Sequence, residues 1–276
     1  MTTIAVIGAG AMGSGVARRL HENGARMLTL LEGRSDASCQ RAAAAGMEDA
    51  SLDEIATAEL ILSIVPPAQA ANVVETLAPV FAGGSPPLFC DANALGPETK
   101  RALAARVAAL GGKMVDGTII GGPPAAEYDG PRLYLCGEGA DEVARLNRYG
   151  IDTHVLPGPL GAAATLKMCY GGINKGVIGL VTALLLAARR HGADQDLLAE
   201  MAISQKELLG RHARAIPSMY PRAYRWDAEM HEIAAFLAPE DPAAAAIWDG
   251  LGEFYTGRAA AFEAGDELEG LKKLLS

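Results

Sequence analysis

The chain opens on a short apolar run, Thr2 to Ile7, rich in β-branched residues, which stops at Gly8. From Ser14 to Asn23 the spacing becomes helical, with Val16, Ala17 and Leu20 on one face and Arg18, Arg19 and Glu22 on the other. The same alternation recurs. Strand-like runs lie at Met27–Leu31, Leu60–Val65, Leu88–Asp91, Lys113–Asp116, Arg132–Cys136 and His154–Leu156. Helical spacing covers Ala37–Ala45, Ala68–Leu77, Pro97–Leu110 and Asp141–Tyr149, and Ser51 caps a short helix with acids in its first turn. Strand alternating with helix predicts an α/β domain with a doubly wound parallel sheet. At Pro157-Gly158-Pro159 the texture changes, and strand patterns end. Ala162–His191 reads as one long helix, apolar nearly all round, which predicts burial on most sides. Helices follow at Leu197–Arg214, Tyr224–Leu237, Pro242–Tyr255 and Leu268–Leu275. The expected domains are residues 1–157 and an all-helical part, 158–276, built on the long helix.

The bulk numbers narrow the functional classes. With 276 residues, half of them hydrophobic, the chain has ample material for two buried cores. A net charge of −9 with no basic cluster excludes a nucleic-acid surface. The four cysteines, Cys39, Cys90, Cys136 and Cys169, are scattered without metal-ligand spacing, so reduced thiols in a cytoplasmic protein are expected, without a metal site. The first residues already form a fold strand, so no leader is expected. The longest apolar stretch, around Val177–Ala188, is too short for a membrane span.

The chemistry begins where the first strand turns into the first helix. Gly8-Ala9-Gly10-Ala11-Met12-Gly13 is a G-x-G-x-x-G sequence in the strand–turn–helix context that gives it meaning. Gly8 serves the tight turn, Gly10 the approach of a pyrophosphate, and Gly13 the packing of helix on strand, which predicts a Rossmann-like nucleotide site. After the second strand comes Glu32-Gly33-Arg34-Ser35. A carboxylate here accepts from an adenosine ribose and selects NAD, whereas an arginine pairs with a 2′-phosphate and selects NADP. Arg34 with Ser35 favours NADP; Glu32 keeps NAD open. Val65 and Pro66, at a strand end, are candidate walls of the cofactor site.

The order of these pieces resembles the β-hydroxyacid dehydrogenase superfamily, which includes 3-hydroxyisobutyrate and 6-phosphogluconate dehydrogenases and imine reductases. The resemblance runs from Met1 to about Gly192. It rests on the glycine motif, on Gly33-Arg34-Ser35, on Val65-Pro66-Pro67, and on Asp91-Ala92-Asn93-Ala94 where the dehydrogenases read Asp-x-Ser-Thr. It rests also on Asp116-Gly117-Thr118-Ile119-Ile120-Gly121-Gly122 and on Gly158-Pro159-Leu160-Gly161-Ala162 through Lys167. The C-terminal part, with Arg225-Trp226-Asp227-Ala228-Glu229-Met230-His231-Glu232-Ile233, is similar to a branch whose helical domain has no assigned function.

The resemblance implies Lys167 as the acid/base of hydride transfer, a homodimer, and a small-molecule substrate held near Asn93, Thr118, Ile120, Gly121, Gly122 and Gly171. By helix position Asn174, on the face of Lys167, is a further substrate candidate, as are Lys175, for a substrate carboxylate or a buried acid, and Glu229, for a substrate-facing or subunit-facing polar patch. Asn93 would also border the cofactor. An ammonium beside a carbonyl stabilises a developing alkoxide and delivers its proton; the neutral amine serves the reverse reaction. Two departures bear on the substrate. The asparagine that the dehydrogenases carry four residues after the lysine is here Gly171, and Asn93 replaces the serine of Asp-x-Ser-Thr. Both strike groups that hold a hydroxy-acid carboxylate. An imine reductase and a non-catalytic dinucleotide sensor therefore stand as alternatives. Glu229 and Glu232 share a helix face, yet with His231 off that face they make no metal geometry.

Overall fold

The computed structural model describes residues 2–125 and 127–275. The chain divides into two compact units, Met1–Lys167 and Met168–Ser276. The division falls inside the long helix, whereas the change of texture in the sequence lies at residue 157.

The first unit runs β1 (Thr3–Ile7), α1 (Ala11–Glu22), β2 (Arg26–Thr29), α2 (Asp36–Ala44), β3 (Met47–Asp49), α3 (Leu52–Ile55), β4 (Leu60–Ser63), α4 (Ala70–Thr76), α5 (Ala78–Phe81), β5 (Leu88–Asp91), α6 (Pro97–Ala109), β6 (Met114–Ile120), β7 (Arg132–Cys136), α7 (Ala140–Val143) and β8 (Asp152–Val155). It ends within α8 (Ala162–Arg190). The eight strands form one sheet, ordered β3-β2-β1-β4-β5-β6-β7-β8, parallel except where β6 meets β7. Strand residues alternate between two cores. Ile4, Val6, Met27, Leu62 and Val115 belong to one, and Ala5, Ile7, Leu28, Ile61 and Phe89 to the other. Burial on both faces accounts for the nearly continuous apolar runs of these strands. The strand order reverses at β1/β4, and the carboxyl ends beside such a reversal form the ligand crevice of this architecture.

Three local expectations are corrected. Strand β3 was not foreseen, because Met47-Glu48-Asp49 is short and two-thirds charged; it forms by pairing with β2 at the sheet edge. The strand expected over Lys113–Asp116 is longer: β6 continues through Ile120, paired with β7. Gly117 makes this possible, since a Cβ there would lie 2.7 Å from Cys90 Sγ. Residues 144–149, read as the end of an α-helix, form a 3₁₀ segment.

The second unit completes α8 and adds α9 (Asp194–Ser204), α10 (Lys206–Met219), α11 (Ala223–Leu237), α12 (Pro242–Ala264) and α13 (Asp266–Leu275). The single helix expected over Leu197–Arg214 is broken at Gln205, which leaves helical geometry at φ −142°. Its core joins Ile178, Leu185, Ile216, Tyr220, Met230 and Tyr255. Helix α8 is not buried all round. Tyr170, Ile173, Leu180 and Leu184 are exposed, and 39% of its most apolar 18-residue window is buried. By length and composition alone α8 is long enough to cross a bilayer, as core helices of soluble proteins also are. The shorter stretch Val177–Ala188 understated it.

Candidate active site at the carboxyl edge of the sheet

The glycine loop has the geometry its sequence implies. Gly8 sits at φ +120°, and a Cβ there would lie 2.2 Å from the Ile64 carbonyl oxygen. A Cβ on Gly13 would meet the Gly8 carbonyl at 1.9 Å, so α1 packs on the turn only with glycine. Gly10 differs: nothing lies within 4 Å of its Cβ position. It is the N-cap of α1, no side chain caps that helix, and no acid stands in its first turn. Its glycine faces open space beside a positive helix end, so the chain fits a pyrophosphate by its own geometry. Ala9 and Met12 are largely buried around this turn, and Ala11 is exposed.

Beyond the end of β2, Glu32, Gly33 and Arg34 line a cavity of about 340 Å³ together with Leu30, Asn72 and Val73. Its size and half-apolar lining suit a heteroaromatic base. No group among the described residues accepts a hydrogen bond from the Arg34 guanidinium or donates to the Glu32 carboxylate. Ser35 is the N-cap of α2, and its hydroxyl accepts from the Ser38 amide at 3.4 Å.

At the ends of β4 and β5, Val65 packs against Gly8, while Pro66 is exposed. Asn93, expected to face ligands, is 3% exposed, and its amide is spent internally. The Val65 amide donates to Asn93 Oδ1 at 2.6 Å, and Asn93 Nδ2 donates to Ser63 Oγ at 2.9 Å and Asp91 Oδ2 at 2.6 Å. Asn93 thereby fixes Val65 at the end of β4.

That network continues through Lys100, which sequence reading missed. Its ammonium is wholly buried and donates to Asp91 Oδ1 at 2.5 Å, the Asp91 carbonyl at 2.6 Å and the Gly117 carbonyl at 3.0 Å. Those three bonds spend all its protons. Asp116 Oδ1 lies 3.3 Å away as a second ion-pair partner. The other oxygen of Asp116 accepts from the Gly161 and Ala164 amides at 3.0 and 3.2 Å and thereby caps α8. Cys136 Sγ donates to the same oxygen at 3.3 Å; burial pushes this thiol up, so it stays protonated as a donor. One turn further along α8, the Lys167 ammonium donates to the Ile119 carbonyl at 2.6 Å. Strand β6 therefore holds the start of α8 at two points, and it brings Lys167 to the same carboxyl edge as the glycine loop.

The remaining candidates separate. Thr118 is 1% exposed and lies within β6 beside Ile120, while Gly121, at φ +123°, and Gly122 form the turn that follows. Arg19, read as a solvent-facing charge, instead donates to the carbonyls of Ala125, Tyr128, Asp129 and Gly130, and so fastens the segment after Gly122 to α1. In the second unit, Asn174 accepts from Arg211 and donates to the Tyr170 carbonyl. Lys175 pairs with Glu229 and lies 5.6 Å over the Trp226 ring. A Cβ on Gly171 would lie 3.8 Å from Lys175 Nζ. No group of metal-ligating side chains stands among the described residues.

Fold and glycine loop together define a dinucleotide-binding protein. The chain belongs to the family of the NAD-binding domain of 6-phosphogluconate dehydrogenase, which matches residues 3–148. Residues 188–257 match a domain of unknown function, DUF1932. A comparison with curated protein sequences finds no match. Among solved structures, a conserved protein of unknown function, described as similar to 3-hydroxyacid dehydrogenases, is 26% identical over 96% of this chain and 99% of its own, with a TM-score of 0.79. The 3-hydroxyisobutyrate dehydrogenase of Mycobacterium tuberculosis is 20% identical over the whole of both chains, with a TM-score of 0.68. An imine reductase from Myxococcus stipitatus, solved with NADP+, is 17% identical over 99% of this chain and 100% of its own, at a TM-score of 0.60. The chain thus carries the NAD-binding domain of 6-phosphogluconate dehydrogenase and has the fold of the hydroxyacid dehydrogenases.

Proposed function

We propose that the protein is an NADP-dependent oxidoreductase that moves a hydride between the nicotinamide and a carbonyl/alcohol pair, with Lys167 as general acid/base. The observation that carries this reading is the placing of Lys167 Nζ on the Ile119 carbonyl, at the carboxyl edge that also holds the glycine loop. The bound cofactor supplies or accepts the hydride. The residues do the rest. Gly10 and the free end of α1 receive the pyrophosphate, and Arg34 and Ser35 the 2′-phosphate. The Lys167 ammonium stabilises charge developing on the substrate oxygen and gives up its proton there. The test is oxidation of NADPH with a panel of aldehydes, keto acids and cyclic imines. Turnover of carbonyl compounds supports the reading. Turnover of imines alone replaces it with an imine reductase, which the departures at Gly171 and Asn93 favour. Binding without turnover leaves a dinucleotide sensor.

Cofactor choice has its own test. Arg34→Ala is expected to weaken NADPH binding at least about tenfold, the loss of a charge-assisted phosphate contact, while NADH binding changes little. Fluorescence titration of the wild type and the variant checks it. A wild-type preference for NADH that survives the substitution would assign the ribose to Glu32.

We also propose a homodimer. Tyr170, Ile173, Val177, Leu180 and Leu184 follow a three- and four-residue spacing along α8, and a second copy of the helix would cover this stripe. Sedimentation should give twice the chain mass for the wild type. The variant with Leu180→Asp and Leu184→Asp should sediment as a single chain. A wild-type protein that is already a single chain ends this proposal.

A further inference from the structure

Arg41 lies on α2, seven residues after Arg34, and the sequence offered no reason to single it out. Its Nε donates to the Ala9 carbonyl at 2.9 Å, inside the glycine loop. Its Nη2 donates to Ser38 Oγ at 3.0 Å, and Ser38 Oγ lies 3.1 Å from Ser35 Oγ. The guanidinium thus spans from the pyrophosphate loop to the two hydroxyls at the N-terminal end of α2. Its Nη1 has no acceptor among the described residues. Arg34 stands one residue before Ser35 with its own guanidinium unspent.

The local charge makes a second cation necessary. Within this turn and helix start, Glu32 and Asp36 carry two negative charges. Arg34 alone leaves the turn net negative, a poor receiver for a phosphate that is itself close to a dianion at neutral pH. Arg41 cancels that deficit. Two guanidinium forks, two hydroxyls and the start of a helix make a chemically complete phosphate site.

We propose that Arg41 is a second determinant of NADP selectivity: it joins Arg34 on the adenosine 2′-phosphate while its Nε holds the glycine loop. The proposal rests on the NADP reading above. It links recognition of the 2′-phosphate to the carbonyl of Ala9, so the group that distinguishes the two cofactors also braces the turn that receives the pyrophosphate.

The competing account is that Arg41 only braces the loop. The two differ in what they do to ligands without a 2′-phosphate. The test titrates the full-length wild type, Arg41→Met, Arg41→Lys and Arg34→Ala with 2′,5′-ADP, 5′-ADP, NADPH and NADH, by calorimetry and fluorescence. The expected result for Arg41→Met is a loss of about tenfold or more for 2′,5′-ADP and NADPH, with 5′-ADP and NADH changed by less than about threefold. Arg41→Lys, which keeps the charge, should recover part of that loss. Equal weakening of all four ligands reduces Arg41 to a brace and overturns the proposal, as does no weakening at all. If Arg34→Ala loses the NADPH preference while Arg41→Met keeps it, the NADP reading stands and this inference falls. If wild-type protein binds 2′,5′-ADP no more tightly than 5′-ADP, the NADP reading itself falls and carries this one with it.

Discussion

Replacing Lys167 with methionine lowers NADPH-dependent turnover of carbonyl substrates by about 10²- to 10⁴-fold, the range for loss of a positioned general acid. Methionine keeps most of the apolar stem in α8 and removes the ammonium alone. The lost hydrogen bond to Ile119 costs stability on the order of 1 kcal/mol, too little to unfold the unit. Cofactor affinity should stay within about threefold, because the glycine loop and the β2–α2 turn are untouched. Stopped-flow absorbance of NADPH under single-turnover conditions separates the two effects. Unchanged turnover would remove Lys167 from the chemistry and leave it as an anchor between α8 and β6. A parallel collapse of NADPH binding would show instead that the start of α8 shapes the cofactor site.

The second large effect concerns stability. Lys100→Met leaves Asp91 and Asp116 buried with no cation between them. Removing one partner of a buried ion pair costs about 3–5 kcal/mol, because the remaining charge loses its compensation. Here the removed partner served two carboxylates and two carbonyls. Equilibrium urea unfolding of the first unit's transition, followed by far-ultraviolet circular dichroism, measures the loss. The double variant Lys100→Met with Asp91→Asn restores the native net charge of the cluster and should regain part of it. A loss below about 1 kcal/mol for the single variant would mean that the cluster adapts at no cost, contrary to its tight geometry.

Much of this unit could be read from the chain because its signals are local. The glycine motif sits between an apolar strand and an amphipathic helix within thirteen residues, and the open Cβ position of Gly10 is where the motif puts the phosphate. Arg34, expected beside a cofactor from its place after the second strand, lines the cavity beyond β2. Lys100, Arg41 and Arg19 were not legible for a common reason. Each is a single cation whose partners lie on other elements, such as the carbonyls of Ala125, Tyr128, Asp129 and Gly130 that Arg19 reaches from α1. No periodicity marks such a residue, and a lysine among helix residues ordinarily faces water. Only assembly of the sheet brings Asp91 and Asp116 side by side on neighbouring strands, as a registered pair. Strand β3 failed for a related reason: its edge position gives it pairing without an apolar pattern. Asn174 and Lys175, read from their spacing after Lys167, have partners on other helices of the second unit that the spacing does not announce.

The grip of Arg19 on four carbonyls has a consequence for motion. Pro124 packs against α1 at Gly15, where a Cβ would lie 2.9 Å from the proline ring. Helix α1 and the described part of the Gly121–Pro131 segment are therefore tied both by hydrogen bonds and by contact. Such tied pieces open together, as one cooperative unit of local unfolding. Amide hydrogens in the segment should exchange with solvent at the pace of α1, and a ligand that quiets the helix would quiet the segment as well.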